Sequence, residues 1–124
     1  MCAYNRINGE PACANTFLLV DTLRKAWNFK GYVVSDCGAI ADINRNHKCV
    51  PTLEESAAIS LKRGTDLDCG ADTQAYGTAM YKGLISPAEA DVNLKRILKA
   101  LRDGYVRSTR PSSPVGAGLP PCRS

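Results

Sequence analysis

Short apolar runs alternate along this chain with longer stretches in which apolar residues recur every three or four positions. Three runs have the character of buried strands. They are Met1-Cys2-Ala3, ending at Tyr4; Gly31-Tyr32-Val33-Val34-Ser35; and Gly64-Thr65-Asp66-Leu67. Between and after them the helical period takes over. Asn15 can cap a helix running to about Trp27, with Leu19, Leu23, Ala26 and Trp27 as one apolar stripe. Thr52 and Glu55 form a capping-box pair for a helix through Arg63 that Gly64 ends, with Leu53, Ala57 and Leu61 facing inward. A weaker helix is expected near Thr73–Lys82, loosened by Gly77. Ser86, Pro87 and Glu89 open a last helix to Asp103, closed by Gly104, with Leu94, Ile97, Leu98 and Leu101 as its buried stripe. Asn8-Gly9 and Pro11 mark a turn-rich loop, and Cys37–Pro51 reads as a βα loop of unusual length.

The runs keep time. Asp-Cys-Gly-Ala follows a strand twice, at Asp36–Ala39 and Asp68–Ala71, and Tyr4, Asp36 and Asp68 stand 32 residues apart. A (β/α)8 barrel of roughly 250 residues uses about 31 per unit. The pattern therefore predicts an α/β fold: a partial (β/α)8 TIM barrel of about three consecutive βα units over residues 1–104. Three units cannot close such a barrel. Residues 105–124 hold four of the seven prolines and no acid. They are expected to form a disordered Pro/Ser/Arg tail.

Charge and cysteines narrow the picture. Residues 1–104 carry 13 Lys/Arg against 12 Asp/Glu, and the rest of the +4 net charge comes from Arg107, Arg110 and Arg123. Signs mixed in this way argue against a nucleic-acid surface. No run approaches the roughly 18 apolar residues of a membrane span, and the N-terminus lacks the order of a signal peptide. Six cysteines without a Cys-x-x-Cys, beside one histidine, do not make a metal site. Neither a cofactor nor a metal is expected. Cys37 and Cys69 occupy equivalent places on successive units. On neighbouring strands they would lie near disulfide range, which leaves a bridge and two buried thiols equally open.

Asp36 is the leading candidate for chemistry. It ends an apolar strand, where barrel enzymes keep their catalysts, and a carboxylate there can serve as nucleophile, base or metal ligand. Capping the following turn is an equally common task for Asp. Asp66, Asp68 and Asp72 form a second acidic cluster, read as hydrogen-bonding partners of nearby turns rather than a cation site. Tyr4 could reach Asp36 across the strand ends. The lone His47 reads as a solvated loop residue rather than a ligand or base.

Three segments carry a resemblance. Met1–Asn15 (MCAYNRINGEPACAN), Leu23–Ile40 (LRKAWNFKGYVVSDCGAI) and Gly64–Gly70 (GTDLDCG) closely resemble glycoside hydrolase family 3, nearest its β-xylosidase-like members. The resemblance covers roughly residues 1–104. It implies retaining hydrolysis with Asp36, of the Ser-Asp pair, as nucleophile and Tyr4 in contact with it. It implies further that Cys37 and Cys69 pair and narrow the sugar pocket. The substrate implied is a β-linked xylo- or gluco-oligosaccharide, cleaved at its terminal sugar. The family's acid/base is a Glu from a following α/β-sandwich domain, which this chain does not match. The first part of the barrel, with its sugar ligands, is unmatched too. The expectation is therefore a fragment, inactive alone, with exposed sheet edges prone to self-association. Export is common in the family and the cysteine count agrees with a secreted or periplasmic parent, although the chain itself carries no address. A receiver-like signalling domain has a similar size, but it needs an acidic pair where Tyr4-Asn5 stands and five strands rather than three.

Overall fold

A computed structural model describes residues 1–70 and 72–108. The three apolar runs lie side by side, all parallel, in chain order. The Cys2 N–H bonds the Val34 carbonyl at 2.9 Å and the Asp36 N–H bonds the Cys2 carbonyl at 2.8 Å. On the other side the Ser35 N–H reaches the Leu67 carbonyl at 2.9 Å, and the Leu67 N–H the Val33 carbonyl at 3.1 Å. Pairing is brief, one bridge per neighbour, Cys2 to Ser35 and Val34 to Leu67. The middle run is the central one, and it buries Val33 and Ser35.

The Asn8-Gly9 loop is tighter than expected. Both residues have positive φ (52° and 84°), the conformation of a two-residue hairpin turn that Asn-Gly favours. It joins the antiparallel strands Arg6–Ile7 and Glu10–Pro11, paired Arg6 to Pro11 and Ile7 to Glu10. A short 3-10 turn, Ala12–Ala14, is buried throughout, and Cys13 within it is disulfide-bonded to Cys2. That bridge fixes the hairpin against the first strand run. Neither cysteine sits in a repeated motif, so no pairing signal for them is legible before the fold is known.

Asn15 is buried and works in both directions. Its Nδ2 donates to the Ile7 carbonyl at 2.7 Å while its Oδ1 accepts the Leu18 N–H at 2.8 Å. The helix it introduces, Phe17–Ala26, is wound as a π-helix, and the chain leaves it with the Trp27 N–H bonded five residues back to Thr22. The wider winding breaks the expected α-helical stripe. Leu19 is buried, but Ala26 is exposed and Trp27 is 71% exposed.

The segment Cys37–Pro51 is not a plain loop. It contains the helix Ala39–Arg45, whose Ala39, Ile40, Ala41 and Ile43 are buried. Ile43 is completely enclosed in a core with Cys2, Ala12, Cys13, Leu19, Val33 and Ile40. The helix Leu53–Lys62 starts in the expected capping box: Thr52 Oγ1 accepts the Glu55 N–H at 3.2 Å and Glu55 Oε2 accepts the Thr52 N–H at 3.1 Å. Thr52→Ala should therefore cost about 1 kcal/mol, read as a lower urea midpoint at unchanged slope. Gln74–Tyr81 packs on this helix through Ala58 and Ala79.

The last helix, Pro87–Ser108, differs from expectation twice. It passes through Gly104, because one helical glycine costs only about 1 kcal/mol relative to alanine and does not break a continuing ladder. The boundary placed at residue 104 thus falls within a helix, and the expected disorder of 109–124 lies outside the described residues. Its buried face also differs. Asn93 is buried and donates to the Leu61 and Thr65 carbonyls, whereas Leu94, Leu98 and Leu101 are exposed. An apolar stripe records that a face is apolar; it does not say which neighbour covers it. Among the described residues, no helix is long and apolar enough to cross a membrane.

Candidate active site

The C-terminal ends of the three parallel runs carry Tyr4, Asp36 and the Asp68–Cys69 pair. Asp36 closes the central run and is partly buried. Its Oδ1 accepts the Cys37 N–H at 2.8 Å, and its carbonyl accepts the Ala39 N–H at 3.0 Å. Turn cap and candidate catalyst are therefore not exclusive. One carboxylate oxygen holds the turn, and Oδ2 accepts no hydrogen bond among the described residues.

Several contacts fix this turn. The Gly38 N–H donates to the Cys69 carbonyl at 2.8 Å, which ties the second unit to the third. Cys37 and Cys69 are disulfide-bonded, with α-carbons 4.2 Å apart. Gly38 has φ 90°, and a Cβ there would stand 3.2 Å from the Tyr4 hydroxyl, so glycine admits both the backbone and the tyrosine.

Tyr4 approaches from the first run, but its hydroxyl does not bond the Asp36 carboxylate. It donates to the Cys37 carbonyl, one residue further on. The tyrosine thus braces the Asp36–Gly38 turn and leaves Asp36 Oδ2 unengaged. His47 departs further from expectation. It is not solvated. Its ring lies against Tyr4, Arg6 and Asp42, and its side chain is 14% exposed.

The acidic cluster disperses. Asp66 points to the opposite end of the runs, where its fully buried carboxylate meets Arg24, Arg96 and the Val33 N–H. Asp72 pairs with Arg45 at 3.2 Å. Asp68 stays on the candidate face, accepting the Ser35 hydroxyl at 3.2 Å, while Ser35 Oγ accepts the Cys69 N–H at 2.9 Å. Burial pushes the Asp68 carboxyl above its usual range, against the opposing pull of Ser35. Its Oδ2 is buried without a partner. Among the described residues, no three His, Cys, Asp or Glu side chains gather where a metal could sit.

The family model for the glycosyl hydrolase family 3 N terminal domain matches residues 1–100. An exo-1,4-beta-xylosidase of Emericella nidulans is 43% identical over 105 residues, which is 82% of this chain and 14% of that protein. Beta-D-xylosidase 1 of Arabidopsis thaliana is 43% identical over 95 residues, 76% of this chain and 12% of that protein. Among solved structures, a GH3 exo-beta-xylosidase in complex with a xylobiose aziridine activity-based probe superposes with TM-score 0.76 at 31% identity. The superposition covers 90% of this chain and 15% of that one. A beta-glucosidase from Listeria innocua gives TM-score 0.73 at 29% identity, over 85% and 15%. The chain thus spans about one-seventh of the length of the relatives it matches.

Proposed function

The chain belongs to glycosyl hydrolase family 3, and from that membership we propose that it carries the nucleophile half of a retaining β-glycosidase, with Asp36 as the attacking carboxylate. Its three parallel runs are consecutive βα units of a (β/α)8 barrel. The substrate is a terminal β-linked xylosyl or glucosyl residue, a reading supported by the xylosidases and glucosidases among its relatives. The observation that carries the proposal is the placement of Asp36. It sits at the C-terminal end of the central run, with one oxygen tied to Cys37 and the other unengaged.

In the first step Oδ2 of Asp36 bonds to the anomeric carbon. The glycosidic C–O bond breaks, and the departing oxygen takes its electron pair and a proton from a general acid. Water then cleaves the glycosyl ester, returning the sugar with its original configuration. The acid is a Glu supplied by sequence outside this chain, which matches 14% of its relative's length. Tyr4 and the Cys37–Cys69 bridge flank the bound sugar. The chain alone is then inactive on substrates whose leaving group needs protonation.

A reagent that needs no acid isolates the proposed half-reaction. Dinitrophenolate departs unprotonated, and a 2-fluoro substituent slows release of the glycosyl ester. Residues 1–100 grafted into the matching segment of the Emericella relative should react with a 2,4-dinitrophenyl 2-deoxy-2-fluoro-β-xyloside. The fluoroxylosyl mass should appear on the peptide bearing Asp36. The isolated chain should show no turnover of unactivated aryl xylosides. An adduct on any other residue, or turnover by the isolated chain, overturns the proposal.

A further inference from the structure

His47 is the only histidine in the chain, and three elements converge on its ring. Arg6, in the hairpin, donates its Nε–H to His47 Nδ1 at 3.1 Å. Nε2 lies 2.7 Å from the Tyr4 carbonyl and 3.3 Å from Asp42 Oδ2, in the helix Ala39–Arg45. The guanidinium can only donate and a carbonyl can only accept. One tautomer satisfies every partner: Nδ1 bare towards Arg6, and the proton on Nε2 towards Tyr4. The surrounding backbone holds the ring in place, since Arg6 Nη2 donates to the His47 carbonyl and the His47 N–H bonds the Asp42 carbonyl at 2.9 Å.

Tyr4 is the residue so gripped. Its carbonyl is tied to His47, and its hydroxyl bonds the carbonyl of Cys37, whose own N–H orients the Asp36 carboxylate. We propose that His47 is a positioning residue that acts through Tyr4, holding the tyrosine backbone so that its hydroxyl braces the Asp36–Gly38 turn. The role in catalysis rests on Asp36 being the nucleophile; the relay itself does not. Because a displacement of about 1 Å at a reacting group can cost on the order of 100-fold in rate, a residue three hydrogen bonds removed from Asp36 can matter.

Two substitutions divide the ring's functions. Gln places a donor near Nε2 but loses the acceptor for Arg6; Asn keeps an acceptor near Nδ1 but no longer reaches Tyr4. In the full 124-residue chain, ¹⁵N-histidine labelling gives signals from one ring, expected as the Nε2–H tautomer. The Cys37 amide and Tyr4 ring resonances should move in His47→Asn and stay near their native positions in His47→Gln. In a Tyr4→Phe background, His47→Asn should leave the Cys37 amide where Tyr4→Phe alone puts it. A merely structural histidine would not show that dependence. The relay is overturned if Gln and Asn behave alike, if the Nδ1–H tautomer is found, or if His47→Asn shifts Cys37 equally with and without the tyrosine hydroxyl. If the coupling holds and Asp36 takes no fluoroxylosyl label, the relay stands and the nucleophile assignment falls.

Discussion

Asp36→Asn, introduced into the graft described above, should lower kcat for an aryl β-xyloside by on the order of 10⁴- to 10⁶-fold, the scale on which deleting a covalent nucleophile acts in other hydrolases. The local geometry makes this a clean substitution. Asn can keep its Oδ1 on the Cys37 N–H, and its amide nitrogen then stands where the unengaged Oδ2 was. The turn keeps its cap, and the fold should lose no more than about 0.5 kcal/mol, the ordinary range for changes that break no buried contact. Only the attacking electron pair is gone. Asp36→Gly with added azide supplies the complementary result. The small anion enters the vacated space and attacks the anomeric carbon once, so turnover of a dinitrophenyl β-xyloside should return and yield the α-xylosyl azide. A single displacement inverts where the proposed double displacement retains. If Asp36→Asn stays within tenfold of the parent, or azide yields the β product, the nucleophile lies elsewhere.

How much of this was legible in the sequence depended on the reach of the signal. The 32-residue beat depends on local chain length, and it brought Tyr4, Asp36 and Asp68 to the same end of three adjacent runs. Capping at Thr52 is encoded within four residues and was equally plain. The helix Ala39–Arg45 was hidden because its seven residues follow a glycine and precede a turn, too short for a period to declare itself. The inward face of Pro87–Ser108 is not its apolar stripe, because Asn93 and Arg96 make polar contacts to Thr65 and Asp66 that outweigh it. His47 could not have been placed from spacing. Its partners Arg6 and Asp42 are 41 and 5 positions away, and no motif joins them. Polar networks of this kind are set by which donors and acceptors the fold leaves opposite one another. That is visible only once the elements have packed.

The same Asp-to-Asn change at position 66 should have the opposite outcome, damaging the fold rather than the chemistry. Asp66 has no exposed side-chain surface. Its Oδ1 accepts Arg96 Nη1 at 2.7 Å, and its Oδ2 accepts Arg24 Nη2 at 2.7 Å and the Val33 N–H at 2.8 Å. Every group facing the carboxylate is a donor. An asparagine amide therefore meets a donor with its NH2 whichever way it is turned, and the substitution also leaves two guanidinium groups facing each other without the intervening charge. Burial and the Arg96 charge already pull the Arg24 pKa below its usual value, against the opposing pull of Asp66. Breaking a buried pair by removing one member costs about 3–5 kcal/mol. Arg24 retains the Phe29 and Gly31 carbonyls as acceptors, which places Asp66→Asn towards the lower end of that range. The damage is directed at the central run, because the Val33 N–H is held by this carboxylate and the Val33 carbonyl accepts the Asp66 N–H. Urea unfolding should show a midpoint lowered by an amount matching about 3 kcal/mol, with Val33 and Leu67 amides losing hydrogen-exchange protection first. An Asp66→Asn chain as stable as the parent would mean that the two arginines find water instead, and that the Cys37–Cys69 bridge, the Ser35 contacts and the backbone bonds from Gly38 to Cys69 and from Leu67 to Val33 suffice to hold the second and third runs in register.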